Sequence, residues 1–111
     1  MGLKRRYEDE LEAMERERLD PLERVRPAGD ALRAPWAREV FLFGSILRPH
    51  FFDRVSDIDL LVVGIPDEAL LKALGAVERS TGIFEREPNL VFERMAPETL
   101  VVEARRTGLP L

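Results

Sequence analysis

The chain has 111 residues, of which 45% are hydrophobic and 34% are charged, so we expect one folded domain with a charged surface. The absence of cysteine excludes disulfides and thiolate sites, and the absence of a long apolar run or signal core predicts a cytoplasmic protein without a membrane span. The net charge of −4 disfavours broad electrostatic attraction to nucleic acid.

The N-terminal segment, residues 1–35, is predicted to be helical. Within 3–19, apolar residues recur at spacings of four, four and three, namely at Leu3, Tyr7, Leu11 and Met14, with charged residues on the other faces. This narrow stripe fits either a helix packed on the edge of the domain or a docking face for a partner. Pro21 is expected to end or kink the helix, and a short second helix is expected within 27–35. We expect this segment to pack on a unit formed by 36–111, the two making one domain.

The rest of the chain alternates strand and helix patterns. Apolar runs at 39–43 and 58–63 predict two buried strands. A helix is expected after Asp67, a third strand near 89–93, and a last helix after Pro97. The predicted order is α, β, β, α, β, α, which indicates an α/β domain with helices flanking a small sheet.

Two short motifs beside the first two strands point to chemistry. Asp57 and Asp59 are expected on one face of the second strand, where two hard oxygen ligands suit Mg²⁺. Gly44 and Ser45 end the first strand, and a tight turn into a helix there would direct backbone N–H groups and a hydroxyl at a phosphate. Taken singly, each motif is more often a polar strand end or an ordinary turn. The combination, with Arg48 in the loop between, favours a nucleotide site.

The sequence LFGS at 42–45, followed by DIDLLV at 57–62, resembles the minimal nucleotidyltransferases of the DNA polymerase β superfamily. The resemblance implies a mixed β-sheet flanked by helices. It further implies a nucleoside triphosphate, most simply ATP, held by the turn at Gly44 and Ser45 with help from Arg48. Mg²⁺ or Mn²⁺ would be held by Asp57 and Asp59 in a two-metal mechanism.

The chain departs from the family pattern at two places. The spacer between the Gly-Ser turn and Asp57 is one residue longer than usual and contains the apolar sequence PHFF at 49–52. More seriously, Asn89 stands where the family usually has a third carboxylate, and an amide cannot act as a base. Glu87 is the nearest substitute and is our candidate for the catalytic base. His50 is assigned no role.

The resemblance implies transfer of a nucleotidyl group, most simply AMP from ATP, to a hydroxyl or phosphate on a partner macromolecule. Similar proteins often act with a helical partner of the HEPN type in toxin–antitoxin pairs, and a nucleic acid stays open as the acceptor. The alternative is a weak or inactive nucleotide-binding antitoxin, for which Asn89 is the main argument.

Overall fold

The computed structural model describes residues 3–48, 57–81 and 88–111. These ranges contain helices and strands with the following bounds: α1 Leu3–Val25, α2 Pro27–Arg33, β1 Glu39–Phe43, β2 Ile58–Val63, α3 Leu70–Thr81, β3 Pro88–Phe92, α4 Glu98–Thr107 and β4 Leu109–Pro110. Single 3₁₀ turns lie at Ser45–Leu47, Asp67–Ala69 and Glu93–Met95. No helix in the described ranges is both long and apolar enough to cross a membrane.

The four strands form one mixed sheet in the order β3-β2-β1-β4. β1 runs antiparallel to β2 and β4, whereas β2 and β3 are parallel and are connected through α3. This arrangement confirms the predicted α/β fold with a small mixed sheet flanked by helices. β4 is not predicted by the sequence, because two residues that include Pro110 give no strand pattern of their own.

The central strand β2 is buried from both sides. Ile58, Leu60 and Val62 pack with α1, α2 and α3 on one face of the sheet. Leu61 and Val63 pack with α4 on the other face. A strand that is covered on both faces has a continuous apolar sequence. Asp59 lies within this sequence, so the packing of its neighbours in β2 holds it in place.

Helix α1 continues through Pro21 to Val25, so it does not end where the sequence predicts. Proline removes one hydrogen bond of the helix. The helical turn after Pro21 is nevertheless held in place, because Val25 packs in the core and is only 1% exposed. Near its beginning, α1 is less covered by the rest of the protein, and the Tyr7 side chain is exposed.

Candidate active site

Strand β1 ends in a tight turn at the predicted phosphate-binding residues. Gly44 has φ of 86° and ψ of −157°, a conformation available almost only to glycine. The Leu47 N–H then donates to the Gly44 carbonyl at 3.1 Å within the 3₁₀ turn Ser45–Leu47. The expected helix is thus a single 3₁₀ turn, because Pro49 has no N–H with which to extend it.

Asp59 is the middle member of a row of three residues across the sheet. The strand register places it opposite Phe43 of β1 and opposite Asn89 of β3. The Nδ2 atom of Asn89 donates a hydrogen bond to Oδ1 of Asp59 at 2.9 Å. Asp57, two residues before Asp59, is exposed at the same end of the sheet. The structure therefore brings together the predicted acidic pair and the asparagine that replaces the third carboxylate.

The Gly-Ser turn and the acidic pair meet at Gly44. A Cβ atom placed on Gly44 would overlap Oδ2 of Asp59. Glycine is therefore required here for two reasons, namely its positive φ and the close approach of its backbone to the carboxylate. The turn predicted to bind phosphate and the side chain predicted to bind metal are direct neighbours in space, although fourteen residues separate Gly44 from Asp59 in the sequence.

The environment of Asp59 disfavours its charged form. Partial burial raises the pKa of this carboxyl above its usual value, the hydrogen bond from Asn89 lowers it, and the negative charge of Asp57 raises it. The net effect is a raised pKa. A bound cation would favour the charged form of Asp59 and offset its repulsion from Asp57.

One protein-family model, described as a nucleotidyltransferase domain, matches residues 29–106, which is more than half of the chain. This chain belongs to the nucleotidyltransferase domain family. The predicted family resemblance is confirmed, and the matched range includes the Gly-Ser turn, both aspartates and Asn89. A search of curated proteins gives no match.

The side chains of this nucleotidyltransferase domain fit a divalent cation. Asp57 and Asp59 present carboxylate oxygens, the ligands that Mg²⁺ and Mn²⁺ prefer, and their mutual repulsion would be relieved by the positive charge. Within 3–48, 57–81 and 88–111, no group of three acidic or histidine side chains could hold a metal. The acidic pair would thus share the ion with the nucleotide or with a carboxylate from another segment.

A groove of about 230 Å³ lies beside the acidic pair. It is lined by Asp57, by Pro88 and Asn89 at the start of β3, and by Leu74 and Glu78 of α3. Sequence reasoning misses the two α3 residues, since their spacing in the helix gives no sign that they face the end of the sheet. The groove therefore opens at the end of the sheet between Asp57 and α3.

The structure describes only one of the remaining residues that the sequence analysis considers. Arg48 is exposed at the end of the 3₁₀ turn, where its N–H donates to the Ser45 carbonyl at 2.9 Å. His50 and Glu87 lie outside the described residues, as do Phe51 and Phe52. The candidate base Glu87 therefore stays a prediction.

Proposed function

We propose that this chain transfers a nucleotidyl group, most simply AMP from ATP, to a hydroxyl or phosphate on a partner macromolecule. The observation that carries the proposal is the contact between the Gly44 backbone and the Asp59 carboxylate. A triphosphate bound at the turn would have its phosphates beside the acidic pair, which is the proximity that phosphoryl chemistry needs. The family membership of the chain supports the same conclusion.

Each residue of the site has a defined task in this proposal. The backbone at Gly44 allows phosphate oxygens to approach, and the Ser45 hydroxyl and Arg48 guanidinium bind them. Asp57 and Asp59 would hold Mg²⁺ or Mn²⁺, which would neutralise phosphate charge and stabilise the entering and leaving oxygens. Two such ions would be expected from the two-metal chemistry of the superfamily.

The transfer forms one bond and breaks one. The acceptor oxygen attacks the α-phosphorus of ATP, the bond from that phosphorus to the bridging oxygen breaks, and pyrophosphate leaves. A hydroxyl acceptor must also lose its proton, and Asn89 cannot accept it. Glu87 immediately precedes β3 and is our candidate for this role.

The acceptor is proposed to come from another chain. The groove beside the acidic pair is too small for a macromolecule, but it has room for one side chain or one nucleotide end that carries the acceptor group. A helical protein of the HEPN type, as in toxin–antitoxin pairs, is the first candidate partner, and the 3′ end of a nucleic acid is the second.

The transfer is tested with ATP labelled on the α-phosphate, Mg²⁺ and the product of the neighbouring gene, with total RNA in a parallel reaction. Labelled protein or RNA that depends on Asp57 and Asp59 supports the proposal. A control with label on the γ-phosphate separates nucleotidyl transfer from phosphorylation. Absence of label in every arm would contradict it.

One observation favours a second function. The Asn89 amide donates to one oxygen of Asp59 and supplies no negative charge, which favours a weak or inactive nucleotide-binding antitoxin. Transfer by wild type, Glu87→Gln and Asn89→Asp decides between the two functions. Loss of activity in Glu87→Gln supports the enzyme, whereas an inert wild type that gains activity through Asn89→Asp supports the binding module.

A further inference from the structure

The N-terminal helix is bonded directly to the Gly-Ser turn. Arg18 of α1 donates from Nη1 to the carbonyl of Ile46 at 3.2 Å. Ile46 is the middle residue of the 3₁₀ turn and its side chain is fully buried in the core. The family match begins at residue 29, so Arg18 comes from a segment outside the matched range.

Arg18 is held in a fixed orientation by its neighbour on the same helix. Its Nε and Nη2 atoms both donate to the carboxylate of Glu15, with Nη2 at 2.9 Å from Oε2. The Arg18 side chain is 13% exposed and the Glu15 side chain is 26% exposed. Because two donors of the planar guanidinium bind one carboxylate, the third nitrogen points in a defined direction, which here is toward Ile46.

The Ile46 carbonyl cannot continue the hydrogen-bond pattern of the 3₁₀ turn. Within the turn, the carbonyls of Gly44 and Ser45 accept from the N–H groups three residues later. The corresponding donor for Ile46 would be residue 49, which is a proline and has no N–H. A buried carbonyl without a donor is unfavourable, and a bond from a charged donor is stronger than one from a neutral group.

We infer that Arg18 is a positioning residue that fixes the phosphate-binding turn through the Ile46 carbonyl, which makes α1 a functional part of the transferase site. The inference rests on the proposed function, because it gives Arg18 its effect through the turn that would hold the triphosphate. Without this bond the turn would sample other conformations, and the Ser45 hydroxyl and nearby amides would less often be placed to bind phosphate.

The binding experiment uses the full chain with Mg²⁺ and α,β-methylene-ATP, an analogue whose α–β linkage cannot be cleaved. Arg18→Gln should weaken binding by about three- to tenfold, since a charge-assisted hydrogen bond to the turn is lost. Arg16→Gln is the matched control, because Arg16 is an exposed arginine on the same helix. In a Ser45→Ala background, Arg18→Gln should have a smaller effect, as expected for two residues that act through one turn. Equal affinity of the Arg18→Gln and Arg16→Gln proteins would overturn the inference.

A second measurement reports on the turn without nucleotide. Amide hydrogen exchange at Leu47 and Arg48 should be faster in Arg18→Gln than in wild type, whereas Arg16→Gln should leave it unchanged. If Arg18→Gln does not fold, Arg18→Lys replaces it, and this variant should give an intermediate increase because lysine keeps the charge but lacks the guanidinium geometry. Unchanged exchange in the folded variant refutes the role of Arg18. A wild type that binds no analogue, with exchange still dependent on Arg18, refutes the proposed function alone.

Discussion

Replacing Gly44 with alanine should destabilise the protein in two ways, through backbone strain and through a clash with Asp59. At φ of 86° and ψ of −157°, a residue with a Cβ is strained by about 1–3 kcal/mol. The added methyl would also overlap the carboxylate of Asp59, which must rotate away from its bond with Asn89. At roughly 4–8 °C per kcal/mol for a small domain, the melting temperature should fall by at least about 4 °C.

Gly64→Ala is a matched control for this change. Gly64 also has a positive φ, at 80°, and its added Cβ would meet the flexible side chain of Arg38 at the other end of β2. Both variants should melt earlier, but only Gly44→Ala should also lose the stabilisation given by Mg²⁺ and α,β-methylene-ATP in a thermal melt. The reasoning is refuted if Gly44→Ala binds the analogue as wild type does, or if Gly64→Ala loses binding equally.

Three further predictions concern the same site. Asp57→Asn combined with Asp59→Asn should abolish the gain in melting temperature that Mg²⁺ or Mn²⁺ gives with a triphosphate, and a persisting gain would exclude these ligands. Ser45→Ala should weaken triphosphate binding by about 1–3 kcal/mol in a titration, and an unchanged affinity would remove the hydroxyl from the site. Asp59→Asn alone should stabilise the metal-free protein at pH 7: the native pKa is raised, so wild-type stability falls as pH rises from the usual value of 3.8 through the native value. Urea unfolding of both proteins across pH tests this prediction. If the free energies of unfolding of Asp59→Asn and wild type differ by the same amount below pH 3.8 and at pH 7, the prediction is wrong.

The sequence predicts those parts of the fold in which local pattern and tertiary packing agree. The apolar runs of β1 and β2 predict strands because most of their residues are buried on whichever face they occupy. The Gly-Ser turn is predictable because glycine is needed for a positive φ and for close approach to Asp59. The family match covers these same residues.

Other features depend on contacts between residues that are distant in the chain. Nothing local marks Arg18 among the many charged residues of α1, because its role arises only when the helix lies against the turn at Ile46. The same holds for Glu78, which joins the groove only through the packing of α3 against the sheet. Pro21 is expected to end or kink the helix, and the first of these does not occur, because α1 continues to the buried Val25.

Asn89 is where the electrostatics of the fold and of the proposed reaction conflict. Its amide donates to a carboxylate whose pKa is raised by burial and by Asp57, so it offsets part of that unfavourable environment when no metal is bound. Asn89→Asp would remove the donor and place a third negative charge beside Asp59, and the metal-free protein should lose about 1–3 kcal/mol of stability. The same change would add a metal ligand, so Mg²⁺ alone should raise the melting temperature of Asn89→Asp more than that of wild type. Thermal melts of both proteins over a Mg²⁺ series measure the two effects together. If the variant is as stable as wild type without metal, Asn89 does not stabilise the metal-free site. If the variant gains no more from Mg²⁺ than wild type, an aspartate at position 89 adds no metal ligand.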